Sequence, residues 1–187
     1  MRIVVDAGHG GHDPGAVNLN VGAQEKAFNL QIAIALQSWL LQAAHSPRMT
    51  RDDDRFITLS GRVALAKAYR ADAFISVHCN AVLNRVPSGT EVWTSPGKTR
   101  ADALATAIGE SMAANLPASP LRPDWSDGDL DKEGRLYVLT MTTCPAVLVE
   151  CGFVSNDDEA GRLKDPATIQ AIAQAIAQGI SMWAATR

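Results

Sequence analysis

Four residues of this chain have the types and the spacing to do chemistry together: His9, Glu25, His78 and Glu150. His9 stands in the stretch Ile3-Val4-Val5-Asp6-Ala7-Gly8-His9-Gly10-Gly11-His12-Asp13-Pro14-Gly15, where a β-branched run stops in a loop with four glycines. Branched residues suit a buried strand. Gly and Pro end it and let the backbone approach a neighbour closely. His78 follows the nearly continuous apolar run Ala73-Phe74-Ile75-Ser76-Val77, and Glu150 follows Ala146-Val147-Leu148-Val149. A carboxylate directly after such a run is costly to bury without a partner. Glu25 opens the segment Glu25-Lys26-Ala27-Phe28-Asn29, which reads as a helix start. Two imidazoles and one carboxylate are the protein ligands of a thermolysin-type catalytic zinc, with water in the fourth position. Such a metal lowers the pKa of its water to about 7 and polarises a carbonyl. A second carboxylate, Glu150, would then carry the proton that amide cleavage requires.

Each residue also has a plainer reading. His9 could cap a loop, His78 could be a satisfied core histidine, and Glu25 could be a helix-start carboxylate favoured by the helix dipole. His12 reads as a loop residue and His45 as a cation at a helix C-terminus. The triplet Asp52-Asp53-Asp54 reads as a solvated connector. A cysteine nucleophile is the rival mechanism, because Cys79 adjoins His78 and Cys151 adjoins Glu150. Adjacent strand residues point to opposite faces, so neither adjacent pair makes a nucleophile–base contact, although Cys151 with His78 or His9 stays open. A structural zinc on the thiols lacks the C-x-x-C spacing.

These side chains need elements to position them. The pattern predicts strands over 2–6, 48–51, 73–78, 89–94, 136–139 and 145–149. It predicts helices from Glu25 to about residue 44, from Thr58 or Ser60 to about residue 70, and over 99–116, 155–163 and 166–185. Ser46-Pro47 is expected to stop the first of them. The first helix carries Phe28, Ile32, Leu36 and Leu40 on one face, and the last is built on Ile169, Ile172, Ala173, Ile176 and Ile180. Residues 117–134 form the longest irregular stretch. Strands alternating with helices argue for an α/β fold: one open, mostly parallel twisted sheet of about six strands with helices on both faces. His9, His78 and Glu150 would then gather at one sheet edge, at the ends of their strands, with Glu25 returning over it.

The whole chain sets bounds on function. Its 187 residues suit a single domain over 1–187 with one core. A hydrophobic content of 47% and a charged content of 20% describe a globular protein. A net charge of −3 gives no reason to expect nucleic acid as a partner. No apolar run approaches the roughly 18 residues of a membrane span, and no secretory signal precedes the first strand. The three scattered cysteines, Cys79, Cys144 and Cys151, do not read as a disulfide framework and are expected to be packing thiols.

The chain resembles the zinc-dependent N-acetylmuramoyl-L-alanine amidases of the Amidase_3 family (the AmiA/AmiC/CwlV type). The resemblance spans essentially the whole chain. It rests on Val5-Asp6-Ala7-Gly8-His9-Gly10-Gly11 with Asp13-Pro14-Gly15-Ala16, Glu25-Lys26 with Asn29-Leu30, and Thr50-Arg51. Leu59-Ser60-Gly61-Arg62, Ile75-Ser76-Val77-His78 with Asn80-Ala81, and Gly89-Thr90-Glu91-Val92 follow in order. Leu136-Tyr137-Val138-Leu139 and Pro145-Ala146-Val147-Leu148-Val149-Glu150 with Gly152-Phe153-Val154-Ser155-Asn156 complete the set.

The resemblance implies Zn2+ held by His9, Glu25 and His78, with Glu150 as the catalytic glutamate. It implies hydrolysis of the amide between the N-acetylmuramic acid lactyl group and L-alanine in peptidoglycan. Arg62 and Asn80 match family positions near the cleft. Cys79 and Cys151 stand where relatives carry other apolar residues and read as packing. A monomer with no wall-binding domain is expected, with an open cleft, because 117–134 is too short and too rich in Pro and Asp for an occluding helix. Compact size without a signal resembles phage endolysins, held in the cytoplasm until release; a trimmed secreted catalytic domain would look the same.

Overall fold

The computed structural model describes residues 1–126 and 128–187, so Asp127 of the 117–134 stretch lies outside the described residues. The β-branched run at the start forms β1 (Arg2–Ala7), with Ile3, Val4 and Val5 wholly buried. It pairs in parallel with β4 (Ser46–Met49) on one side and β5 (Ala73–Asn80) on the other. Next to β5 lies β8 (Ala146–Phe153), also parallel; then come β6 (Glu91–Thr94), antiparallel to β8, and β7 (Lys132–Glu133), parallel to β6. The six-stranded order is β4-β1-β5-β8-β6-β7, with a short hairpin of β2 (Val17–Asn18) and β3 (Ala23–Gln24) inside the first loop.

The period-2 alternation of each strand divides its residues between two cores. Ile3, Val5, Ile75, Val77, Val147 and Val149 face one core, under α1 (Glu25–Gln42), α3 (Asp102–Asn115) and α6 (Pro166–Ala184). Val4, Phe74, Ala146 and Leu148 face the other, smaller core with α2 (Leu59–Tyr69) and α4 (Tyr137–Met141). A further short helix, α5 (Asp157–Arg162), follows β8. The sheet is therefore open and mostly parallel with helices on both faces, as the alternation of elements implied.

The last helix shows how local signals set an element. Asp165 caps α6 by accepting from the Ala167 N–H, and Pro166 supplies the preset φ of a first-turn residue. Ile169, Ile172, Ala173, Ile176, Ile180 and Trp183 bury one stripe of it. Gly179 lets α6 lie directly on α3: a Cβ there would stand 2.5 Å from Ile108 Cα and 2.6 Å from the Ala107 carbonyl oxygen.

Four expectations are corrected. Residues 136–139 are not a strand. The Leu136 carbonyl accepts from the Leu139 and Thr140 N–H groups at 3.1 and 2.9 Å, and the segment is one helical turn that buries Val138 and Leu139 against Phe74 and Leu148. A four-residue apolar run has no periodicity to separate the two states. The sixth strand is instead β7, inside the stretch expected to be irregular; no helix occurs among the described residues of 117–134. The second strand begins at Ser46, not Arg48, and includes Pro47, which an edge strand tolerates because one side needs no N–H. His45 is no helix-terminal cation: burial lowers its pKa, and its Nε2 lies 3.2 Å from Ser181 Oγ.

Gly179→Ala should lower the unfolding free energy by about 1–3 kcal/mol through overpacking. The urea midpoint reads this directly, and an unchanged midpoint would mean that α3 and α6 can separate without cost.

Candidate metal and catalytic site

His78 and Glu150 are register partners across β5 and β8, and Glu150 and Glu91 are register partners across β8 and β6. Side-by-side partners point to one face. By alternation with Phe74 and Leu148 it is the face of the two short helices. The sequence placed His78 and Glu150 at the ends of their strands; instead β5 continues two residues past His78, and β8 three past Glu150. His9 lies two residues past β1. Above α2 a cavity of about 330 Å³ opens, with His9, His78, Phe56, Ile57, Leu59 and Val138 among its walls.

Glu25 reaches this face from the start of α1. Gln24 offers no side-chain cap; the first loop caps the helix, with the Glu25 N–H donating to Ala16 O (2.8 Å) and the Lys26 N–H to Pro14 O (3.1 Å). The buried Glu25 carboxylate is then surrounded by donors. Oε1 lies 2.9 Å from His78 Nδ1 and accepts from the Cys79 N–H and from Asn29 Nδ2, both at 3.2 Å. Oε2 accepts from the Ala16 N–H at 2.9 Å and lies 3.2 Å from His9 Nε2. Burial opposes its ionisation, but the hydrogen bonds from His78 and His9 prevail and hold it well below the usual carboxylate range.

His9 adopts a left-handed backbone, φ +59°, an uncommon conformation that needs outside support. Asp13 gives that support at the ring, with Oδ2 2.8 Å from Nδ1. Two buried arginines hold the loop carbonyls. Arg51 donates to Ala7 O, Gly8 O and Lys26 O at 2.8–2.9 Å. Arg62 donates to Ala7 O (2.6 Å) and His9 O (2.8 Å), and pairs with the buried Asp6 at 2.6 Å. Asp6 also accepts from Thr50 and Ser76 hydroxyls, each at 2.7 Å. Gly8 is needed because a Cβ there would lie 2.3 Å from the His78 ring.

The outcome is one cluster, among the described residues, able to hold a metal ion: His9, Glu25 and His78 each offer a donor atom, all within 4.8 Å of one another. Two nitrogens and an oxygen, with a carboxylate behind one imidazole, match the donor set and outer support that Zn2+ favours. Burial pulls the His9 imidazole down, but Glu25 and Asp13 outweigh it and raise its pKa to about 9. Burial pushes Glu150 up to about 7; His78 opposes this, and the Glu25 and Glu91 carboxylates add to it. Glu150 Oε2 is out of contact with solvent and accepts no hydrogen bond from the described residues.

All four sequence-chosen residues converge here. His12 does not; it tilts over Phe56 at 4.2 Å between ring centroids. Cys79 and Cys151 are buried, and burial raises both thiols well above their ordinary value, so neither is a ready nucleophile. Residues given no role from the sequence also matter: Asp13, Arg51 and Glu91. Glu91 carried a weaker signal than Glu150, a carboxylate beside only two apolar residues, Val92 and Trp93.

A mostly parallel α/β sheet with His9 in the loop after β1, Glu25 at the start of α1 and His78 and Glu150 on its central strands has the frame and the functional groups of a hydrolase. The family model described as N-acetylmuramoyl-L-alanine amidase, Amidase_3, matches residues 3–182, and the chain belongs to that family of peptidoglycan hydrolases. It is 34% identical over 183 residues to YqiI of Bacillus subtilis strain 168, covering 97% of this chain and 84% of that protein. It is also 34% identical over 182 residues to the N-acetylmuramoyl-L-alanine amidase LytC of the same strain, covering 95% of this chain but only 34% of LytC. The fold matches the catalytic domain of CwlV, an N-acetylmuramoyl-L-alanine amidase from Bacillus (Paenibacillus) polymyxa var. colistinus, with a TM-score of 0.88 at 33% identity, covering 100% of this chain and 99% of the other.

Asp13→Ala removes the outer partner of His9, and affinity for a divalent metal ion should fall about 10–100-fold in a chelator competition. The raised pKa of His9 makes uptake pH-dependent. Its proton stabilises the metal-free fold fully below the ordinary value of 6.5, and that contribution is lost as pH rises through about 9. A metal must displace the same proton. Uptake of a divalent metal should therefore release protons at neutral pH and weaken as pH falls below about 9; calorimetry in buffers of different ionisation heat would show whether it does.

Proposed function

We propose that this chain cleaves the amide between the lactyl group of N-acetylmuramic acid and L-alanine with Zn2+ held by His9, Glu25 and His78, and with Glu150 carrying the proton. The observation that supports this most is the position of Glu150. It stands in register beside His78, raised to about 7, with a buried oxygen that no described residue occupies. A carboxyl near neutrality serves equally as base and as acid.

Zinc, when bound, supplies a Lewis acid for the scissile carbonyl and lowers the pKa of a coordinated water to about 7. Glu150 accepts a proton from the attacking water. It returns a proton to the amide nitrogen as the C–N bond breaks, leaving a muramoyl carboxylate and the free amine of L-alanine. Glu25 holds both imidazoles in place, and Asp13 fixes which His9 nitrogen faces inward. Arg51 and Arg62 keep the loop carbonyls turned away from the reacting groups. All these groups come from one chain, so one copy of it would suffice to form the site.

Glu150→Gln should keep Zn2+ and lose about 10²–10⁴-fold in kcat, read as new L-alanine N-termini released from muropeptides. Full turnover in a zinc-loaded Glu150→Gln protein would overturn the assignment.

A further inference from the structure

The row His78–Glu150–Glu91 gives the cleft a direction. On the β1 side lie Phe56 and Leu59, 40% and 54% exposed. On the β6 side the wall is polar. The buried Glu91 accepts from Asn80 Nδ2 (3.1 Å), Trp93 Nε1 (3.2 Å) and Arg122 Nε (3.1 Å), with Lys132 Nζ at 3.4 Å. Lys132, 24% exposed, is turned to Glu91, and its ammonium lies over the Trp93 ring at 5.8 Å. Arg122 differs. Its Nε is tied to Glu91, its Nη1 lies 3.4 Å from Ser88 O, and its guanidinium lies over the Phe153 ring at 5.3 Å. The side chain is still 42% exposed. It is thus oriented from behind, and its Nη2 donates to no described residue. A guanidinium held this way is a preorganised fork for a carboxylate.

Proton delivery decides which half of the substrate meets this wall. The group that protonates the leaving nitrogen must lie within hydrogen-bond reach of it. Glu150 is one strand beyond His78, so the leaving amine of L-alanine faces Glu150 and the acyl half stays on the His78 side. The peptide then runs on toward β6. Strands stand about 4.8 Å apart, and two extended residues span about 7 Å. The carboxylate of the second stem residue therefore arrives one to two strand spacings past Glu150, where Arg122 stands over Glu91.

We propose that Arg122 sets stem-peptide specificity: its guanidinium binds the free carboxylate of the second stem residue, while the glycan half lies along the Phe56–Leu59 wall. This rests on the reading of Glu150 as the acid for the leaving amine.

The test uses two substrates, N-acetylmuramoyl-L-Ala-D-Glu and its D-isoglutamine counterpart, which differ only in a carboxylate against an amide. The zinc-loaded wild type should favour the carboxylate about tenfold in kcat/KM, chiefly through KM, as one charge-assisted hydrogen bond partly open to water allows. In Arg122→Gln that ratio should fall to about one, and Arg122→Lys should keep part of it. Both substrates are measured on one preparation, so lost folded protein cancels. A wild-type ratio of one, or a ratio that survives in Arg122→Gln, overturns the proposal and leaves the amidase reading standing. If Arg122→Gln does not fold, inhibition of the wild type decides: free L-Ala-D-Glu should inhibit more strongly than L-Ala-D-isoglutamine, and equal inhibition overturns the proposal. A wild type that cleaves neither substrate overturns the amidase reading and this proposal with it.

Discussion

A buried carboxylate at the first residue of a helix, Glu25, is the constraint on which the rest of the site depends. Alone it would be too costly to keep ionised. The fold answers with two imidazoles, two backbone N–H groups and an amide. The donors come from three separate parts of the chain. His9 and Ala16 come from the loop after β1, Asn29 from the next turn of α1, and His78 with Cys79 from the central strand. Satisfying one side chain therefore fixes the junction of β1, β5 and α1. The same arrangement creates a place where a divalent cation can replace protons.

That junction is supported one layer further out. His9 needs a left-handed backbone, and the chain around it leaves the carbonyls of Ala7, Gly8 and His9 buried. Buried carbonyls must be paired, and Arg51 and Arg62 pair them. Arg62 in turn needs Asp6, and Asp6 takes up Thr50 and Ser76. Breaking a buried pair of this kind costs about 3–5 kcal/mol, so the loop is rigid because its support is expensive to disturb. The glycines at 8 and 15 have the complementary role of leaving room. A Cβ at either would enter the His78 ring or the Glu25–His9 contact.

Legibility from sequence followed the physics of each signal. Glu150 was readable because a carboxylate after an apolar run is an anomaly that demands a partner. Glu91 is a buried carboxylate too, but between Thr90 and Thr94 only Val92 and Trp93 are apolar, so 89–94 reads as an ordinary half-buried strand. The helix over Tyr137–Met141 was read as a strand because four apolar residues satisfy either geometry once both faces are covered. Asp13 looked like turn chemistry in Asp-Pro-Gly; its second carboxylate oxygen, which holds His9, leaves no trace in the local pattern. Arg122 sits in a stretch with no periodicity, and nothing local marks its approach to Glu91.

By itself the sequence determined the alternation of strands and helices, the sheet class and, through its ordered motifs, the family; it also singled out His9, Glu25, His78 and Glu150, which the fold gathers at the candidate site. Those follow from properties each residue carries with it: branching, burial cost, helix period and ligand type. Tertiary structure alone decided the order β4-β1-β5-β8-β6-β7, the register that sets Glu150 between His78 and Glu91, and the two arginines beneath the loop. Register is a relation between segments far apart in the chain, and a shift of one residue would turn every one of these side chains to the opposite face.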